Sequence, residues 1–296
     1  MTAAPQVGSA ARTTQAVLVA IAGIGVLSVM DAAVKEVATD VPTWEIVFLR
    51  YLFGTLFALP MFLAGHARLP PLEMMRAHLW RSCAVVTTAT TFFYALGQLP
   101  LAVTLALSFT APIMIAVMAR VGLGERAGAG VFLAIAVGFA GVLTVLGGEI
   151  QRSGTGTVLG ILAATTAAAS YAISMVSLRA RATRDPLPVI VFLQNAFAML
   201  LIAPVALVFW IPPTLGQLGW FAMIGLLGTM GHVALAWAYR HAEASRLGAI
   251  EYTAFLWAVA LGFVFFGEVP SLATLAGAAL IMGGAFLAVR GARHDP

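Results

Sequence analysis

The feature that most constrains this chain is a succession of apolar runs with only short polar breaks between them. A helix needs about 20 consecutive, mostly apolar residues to cross the hydrocarbon core of a bilayer. Charges, prolines and glycine clusters divide the runs into ten predicted spans. In chain order, spans 1 to 10 cover residues 15–36, 43–64, 78–97, 100–120, 128–148, 157–178, 187–210, 216–239, 246–266 and 271–290.

Composition supports an all-α integral membrane protein. Of the 296 residues, 61% are hydrophobic and 9% are charged, whereas an ordinary soluble domain has about 25% charged residues. The ten spans leave only short tails at residues 1–14 and 291–296, a linker at 149–156 and brief turns. No length remains for a soluble catalytic domain.

The distribution of cations predicts the orientation in the membrane. Lys and Arg are retained on the cytoplasmic side of short loops. Of the 16 cations, thirteen fall on one side of the predicted spans, two (Lys35 and Arg152) fall on the other, and Arg50 lies within span 2. Both termini are therefore expected in the cytoplasm, with the protein in the inner membrane.

The two halves of the sequence resemble each other. A shift of 143 residues superposes Thr110-Ala111 on Thr253-Ala254 and Gly124-Glu125 on Gly267-Glu268. This shift predicts two repeats, at 15–148 and 157–290. Because each repeat has an odd number of spans, the two cross the membrane in opposite senses. Such five-plus-five inverted-topology repeats tend to place a substrate site near the bilayer midplane.

Two stretches carry a family resemblance. The sequence LPLAVTLALSFTAPI leading to GLGE, and its echo AEASRLGAIEYTAFL leading to FFGE, resemble the EamA-type drug/metabolite transporter (DMT) superfamily, most of all its YddG-type exporters of aromatic amino acids. The resemblance implies alternating access through a central cavity that is lined by spans 1–4 and 6–9, with spans 5 and 10 at the periphery.

Ionisable side chains inside a bilayer are costly, so each is a candidate functional residue. Asp31, Arg50, His232 and Glu251 fall within the spans, and Glu45 lies near the end of span 2. We expect Asp31 or Glu45 to pair with Arg50, either as an outer gate and substrate anchor or as a structural tie between spans 1 and 2. The set for gating or proton coupling is Asp31, Arg50, His232 and Glu251. The structural alternatives are a nearby arginine for Glu251 and a neighbouring hydroxyl for His232.

Polar side chains recur at helical spacing on spans 3 and 8, which indicates faces turned toward a cavity. The first face runs from Thr87 to Gln98 and the second from Gly225 to Ala236. Interhelical hydrogen bonding alone is the alternative. Adding aromatic and hydroxyl side chains at compatible depths, we predict these cavity residues: Ser28, Tyr94, Gln98, Ser108, Thr110, Tyr171, His232, Trp237, Glu251 and Tyr252, with Ser174, Gln194 and Asn195 as further candidates.

Motifs for ATP use and catalysis are missing from the sequence. It has no G-x-x-x-x-G-K-[ST] phosphate loop, no H-E-x-x-H zinc motif and no G-x-S-x-G nucleophile elbow. We therefore expect no cofactor, no metal and no enzymatic activity. The cations form no basic stripe, so nucleic acid is not an expected partner. The expected partners are the lipid bilayer, a small-molecule substrate and protons as a candidate coupling ion, and a monomer is favoured over a homodimer.

A secondary transporter is the function that these features predict together. Export of aromatic or hydrophobic amino acids is what the resemblance implies. Two alternatives stay open: a transporter of another solute class, such as a nucleotide-like metabolite, a sugar or a drug, and a passive facilitator or channel.

Overall fold

Helices and short turns make up the part of the chain that the computed structural model describes. The described residues are 6–65, 70–111, 113–115, 118, 136–138, 140–141, 143–145, 147–148, 155–182, 184–241 and 253–291. The helices are α1 (Gln6–Val37), α2 (Thr43–Gly65), α3 (Leu72–Gln98), α4 (Leu101–Ser108), α5 (Ala136–Val145), α6 (Thr155–Ala182), α7 (Leu187–Val208), α8 (Leu215–His241), α9 (Thr253–Phe266) and α10 (Leu272–Gly291).

Each predicted span overlaps one of these helices, and local chemistry sets the tightest breaks. Leu99 is extended because it precedes Pro100, and this ends α3. Gly267 has a φ of 63°, a conformation that glycine adopts without a steric penalty, and it follows the last residue of α9. Five of the described helices (α1, α2, α6, α7 and α8) contain a segment long and apolar enough to cross a membrane. The described fold is therefore that of a helical membrane protein.

Several helices extend beyond the predicted spans. Helix α1 begins at Gln6, inside the predicted N-terminal tail, and α3 begins at Leu72 rather than at residue 78. Helix α6 continues to Ala182. Apolarity marks only the part of a helix that lies in hydrocarbon, whereas the backbone hydrogen bonds continue into the polar flanks. The sequence pattern therefore underestimates helix length at these ends.

Packing interlocks the two halves of the chain. The most extensive contacts join α1 with α8, α3 with α6, and α2 with α7. Exchanging α1–α4 with α6–α9 converts the first pair into the second and leaves the third unchanged. The contacts thus have the symmetry that two related halves would produce. Ten crossings and the opposite orientation of the halves stay predictions.

Glycines permit the closest approaches between helices. A Cβ at Gly231 of α8 would lie 2.5 Å from Leu27 Cγ and 3.2 Å from Gly23 O of α1. Away from this crossing, a Cβ at Gly141 of α5 would lie 2.6 Å from Gly277 O of α10. Helix α5 therefore packs backbone to backbone against α10.

Candidate functional site

A central cavity of about 220 Å³ lies among α1–α4 and α6–α9. Its wall is mainly apolar, and three phenylalanines, Phe92, Phe93 and Phe109, contribute to it. Of the described residues of α5 and α10, none lines the cavity. These helix contributions match the arrangement that the family resemblance implies.

Arg50 of α2 lines this cavity as a buried cation with 3% of its surface exposed. Its guanidinium carbon lies 4.1 Å from the centroid of the Tyr51 ring, a cation–π contact. Nε and Nη1 are buried without a hydrogen-bond partner among the described residues. Gly228 leaves room for the group, since a Cβ there would lie 3.0 Å from Nη2. Arg50 is thus held by stacking while two donors stay unsatisfied.

Arg81 of α3 is a second buried cation on the cavity wall, with 4% of its surface exposed. Nη2 donates to Gln194 Oε1 at 2.8 Å and Nε donates to the Ser174 carbonyl at 3.2 Å. Within the described part of the chain, Nη1 is buried and has no partner. Helices α6 and α7 therefore fix the orientation of Arg81 and leave one donor unpaired.

Asp31 of α1 is the one acidic residue among the described residues that line the cavity, and 9% of its surface is exposed. It interacts electrostatically with Arg50, but the described residues contain no ion pair within 4 Å between Arg50 and either Asp31 or Glu45. Glu45 instead accepts a hydrogen bond from Ile211 N at 3.4 Å. In this conformation Arg50 therefore contacts Tyr51 and forms no ion pair within 4 Å with either acid among the described residues.

His232 of α8 lies on the same wall. Its Nδ1 is 2.7 Å from the Gly228 carbonyl oxygen one turn earlier. A carbonyl oxygen only accepts hydrogen bonds, so Nδ1 carries the proton, and in the neutral ring Nε2 is the acceptor. This hydrogen bond of His232 is made to a backbone carbonyl, whereas the structural alternative in the sequence analysis was a neighbouring hydroxyl.

Three other predicted residues, Ser28, Ser108 and Tyr171, also line the cavity. The Ser28 hydroxyl donates to Ile24 O at 2.9 Å and the Ser108 hydroxyl donates to Thr104 O at 2.9 Å. Both serines thus satisfy their protons within their own helices and present an oxygen to the cavity. Ser174 and Gln194 are lining residues as well.

Five predicted residues are not among the described lining: Tyr94, Gln98, Thr110, Trp237 and the further candidate Asn195. The face of α3 that reaches the cavity runs through Arg81, Thr88 and Phe92 instead. Trp237 stacks on His241 with ring centroids 4.2 Å apart, and the Thr110 hydroxyl donates to Leu107 O at 2.9 Å.

On the predicted polar face of α3, Thr87 is exposed and bonds to Cys83 O at 3.0 Å, and Thr91 bonds to Thr87 O at 2.7 Å. Both hydroxyls form hydrogen bonds to backbone carbonyls of their own helix. Polar residues on this face therefore do not require a polar cavity beside them. The last two predicted residues, Glu251 and Tyr252, lie outside the described residues.

Arg81 and Tyr51 are cavity residues that sequence reasoning missed. Arg81 was counted among the cytoplasmic cations, although it lies within span 3, one turn from its start. The rule that singled out Arg50 as a cation within a span applies equally to Arg81.

A polar cluster connects helices at the end of the bundle where α1 finishes, which is the predicted outer face. Lys35 Nζ lies 3.1 Å from Glu268 Oε1 and donates to the Leu96 and Leu99 carbonyls at 3.1 and 2.8 Å. Glu268 Oε2 accepts from Leu101 N at 2.8 Å. We call this group the Lys35–Glu268 cluster. It ties α1 and the α3–α4 turn to the α9–α10 turn.

A second tie lies at the opposite end of α3. His78 Nε2 is 2.9 Å from Asp185 Oδ2, and both side chains are buried, with 1% and 3% exposure. Nearby, Arg181 Nη2 lies 3.2 Å from Glu73 Oε1, which is largely exposed. The start of α3 is thus joined to the turn between α6 and α7, so both ends of α3 are connected to the second half of the chain.

The protein family and the curated proteins to which this chain is similar are described as transporters. The model of the EamA-like transporter family matches residues 14–147 and again residues 158–290. A pseudopaline exporter of Pseudomonas aeruginosa is 32% identical, over 90% of this chain and 93% of its own length. A riboflavin transporter of Rhizobium johnstonii is 29% identical, over 84% and 82%. An S-adenosylmethionine uptake transporter of Rickettsia bellii is 21% identical, over 86% of each.

Comparison with solved structures shows the fold. A crystal structure with 24% sequence identity covers 95% of this chain and 99% of its own, with a TM-score of 0.66.

Proposed function

Since the chain belongs to the EamA-like transporter family, we propose that it is a secondary transporter that exports an amino-acid-sized metabolite from the cytoplasm by alternating access. Ten spans in a five-plus-five inverted repeat, with both termini in the cytoplasm, are part of this proposal. Aromatic and hydrophobic amino acids are the starting substrate class. The family and its named relatives support a multi-pass membrane transporter of small metabolites.

The observation that carries the proposal is the pairing of an apolar wall with the unsatisfied donors of Arg50. A guanidinium is well suited to hold a carboxylate through two hydrogen bonds, and the phenylalanine-rich wall suits an apolar side chain. Asp31 faces the same space and offers a partner for an ammonium group. Arg50 and Asp31 thus complement the carboxylate and the ammonium group of a zwitterionic amino acid.

Cavity size also favours a small solute. The cavity measures about 220 Å³, below the range of about 300–1,000 Å³ that is typical of sites for drug-sized ligands. In this conformation the space suits an amino acid better than a molecule of riboflavin size. We therefore place the substrate nearer to an amino acid than to the vitamin named for the relative from Rhizobium johnstonii.

Proteoliposomes that contain the purified protein, without ATP, provide the test. Saturable uptake of labelled phenylalanine or leucine is expected, and Arg50→Gln should raise the KM at least about tenfold because a charge-assisted contact is lost. Arg184→Gln, which changes an exposed arginine, is the matched control and should leave the KM unchanged. No saturable uptake of any amino acid by folded protein would reject the proposal.

Proton coupling is a separate part of the proposal and rests on Asp31, His232 and Glu251. The first two face the cavity, so a proton on either would change the charge that a substrate meets. Uptake of phenylalanine at two external pH values should differ in the wild type and become independent of pH in Asp31→Asn, His232→Gln or Glu251→Gln. If the dependence on pH survives in all three variants, these residues do not couple transport to protons.

A further inference from the structure

Among the described lining residues of the cavity, positive charge exceeds negative charge. The charged side chains in this lining are Arg50, Arg81 and Asp31. With Asp31 ionised and His232 neutral, the described lining has a net charge of +1. Buried charge in a medium of low dielectric constant is costly unless a partner balances it. An occupant with one net negative charge would make the loaded cavity neutral.

Both arginines also retain donors for such an occupant. Among the described residues, two buried nitrogen atoms of Arg50 and one of Arg81 have no hydrogen-bond partner, and each side chain is more than nine-tenths buried. A buried donor that lacks an acceptor costs free energy, so an acceptor that enters the cavity is bound favourably. Carboxylate oxygens are the acceptors that best match guanidinium geometry.

Independent supports hold the two guanidiniums. Arg81 is fixed by Gln194 and the Ser174 carbonyl, whereas Arg50 stacks on Tyr51. Both arginines line the same cavity of about 220 Å³. One small molecule in this cavity can therefore reach both, and each arginine can hold its own acidic group.

From this geometry we propose that Arg50 and Arg81 form two carboxylate sites in one cavity, and that the substrate carries two carboxylates and one ammonium group on an apolar body. The ammonium group lies toward Asp31. The inference rests on the proposed function and narrows its substrate class from zwitterionic amino acids to amino acids with a second acidic group. Such a substrate has a net charge of −1, which balances the +1 of the described wall.

Competition on the wild-type protein in proteoliposomes tests the inference without any variant. Glutamate is compared with glutamine, and N-carboxymethyl-phenylalanine with phenylalanine, because each pair differs in the second carboxylate. The diacid of each pair should inhibit the uptake of labelled phenylalanine at a concentration about tenfold to a hundredfold lower than its partner with one carboxylate. Equal inhibition within each pair would overturn the inference. Stronger inhibition by glutamine and phenylalanine would also overturn the inference. It would indicate that a residue outside the described wall, for example Glu251, balances the positive charge of the cavity.

The variant Arg81→Gln locates the second site. It should reduce the preference for the diacid to less than about threefold, because the KM of the diacid rises more than the KM of its partner with one carboxylate. The control Arg181→Gln, whose partner Glu73 is largely exposed, should keep the preference. If Arg81→Gln raises the KM of both members of a pair equally, Arg81 is not a separate carboxylate site.

The failures of the two proposals are distinguishable. Absence of saturable uptake for all four compounds would reject the proposed transport of amino-acid-sized solutes, and with it the inference. Saturable uptake of phenylalanine without a preference for either diacid would reject the inference alone.

Discussion

At the scale of single residues, buried polar groups stabilise the bundle when they bond to one another. His78 and Asp185 are both buried and lie 2.9 Å apart, on elements that are distant in sequence. With 1% and 3% exposure, the two side chains are shielded from solvent. The pair therefore fixes the turn between α6 and α7 against the first turns of α3.

Loss of either partner should be strongly destabilising. Asp185→Leu or His78→Leu leaves the other side chain buried and unpaired, which costs about 3–5 kcal/mol for buried pairs of this kind. The double variant should be destabilised by less than the sum of the two single variants, because no polar group is then left without its partner. The measurement is the unfolding midpoint of the purified protein in detergent. Strictly additive losses would contradict a direct interaction.

Single residues also show what the sequence predicts about the site and what it does not. The cost of charge in hydrocarbon singles out Asp31, Arg50 and His232 as candidates, and all three line the cavity. Helical spacing found a polar face on α3 but not the direction in which it points, because threonine hydroxyls such as that of Thr87 satisfy themselves on their own helix. Only the packing of α3 against α6 shows that Arg81 faces the cavity.

At the scale of helices, the crossing of α1 and α8 depends on the small size of its contact residues. A Cβ at Gly231 would meet Leu27 Cγ at 2.5 Å, and a Cβ at Gly23 would meet Ala234 Cβ at 2.8 Å. Real Cβ atoms do not approach neighbours so closely, so any added methyl group has to separate the helices.

Gly231→Ala should therefore destabilise the protein by about 1–3 kcal/mol, the usual cost of overpacking. Gly219→Ala is a control on the same helix, since nothing lies within 4 Å of a Cβ at that position. Alanine favours helix by about 1 kcal/mol over glycine, so this control should be neutral or stabilising. The readout is the unfolding midpoint in detergent, and equal effects of the two substitutions would show that the α1–α8 crossing is not tight at Gly231.

Helix positions were largely predictable because apolar length is a strong signal in a membrane protein. Proline and glycine chemistry identified the breaks near Leu99 and Gly267, where the structure shows an extended residue and a positive φ. Helix ends were less predictable: α1 and α3 continue through polar residues that carry no apolar signal. The pairing of α1 with α8 and α3 with α6 is a property of tertiary packing and has no local signature.

At the scale of the whole molecule, the Lys35–Glu268 cluster connects three parts of the chain at one end of the bundle, and in the proposed transport cycle it would hold that end closed. It joins three parts of the chain through one ion pair and three hydrogen bonds to backbone. The fully buried residues Val34, Ile46 and Leu96 pack in the same part of the core. Opening of the cavity toward this end requires the cluster to separate.

Glu268→Gln should favour that opening, because it removes the charge opposite Lys35. The measurement uses Ser28→Cys, at a cavity position, in a Cys83→Ser background that removes the single native cysteine. A membrane-impermeant maleimide added from the predicted outer side should label Cys at position 28 several-fold faster when Glu268 is replaced by Gln.

The exposed ion pair at the other end provides the control. Arg181→Gln separates Arg181 from Glu73 and should leave labelling from the outer side unchanged. Equal labelling in the Glu268→Gln and unmodified backgrounds would show that the Lys35–Glu268 cluster does not hold the outer end closed.

The charge of the described cavity wall would have an electrical consequence for the proposed transport cycle. With a cargo of net charge −1, a carrier whose described wall has a net charge of +1 would cross the membrane field as a neutral body when loaded and would return with a positive charge when empty. Each such cycle would be electrogenic and would move one negative charge outward. A cytoplasm that is negative relative to the outside drives this movement by about 2.3 kcal/mol per 100 mV. The resting voltage of the cell thus makes export the downhill direction for such a cargo.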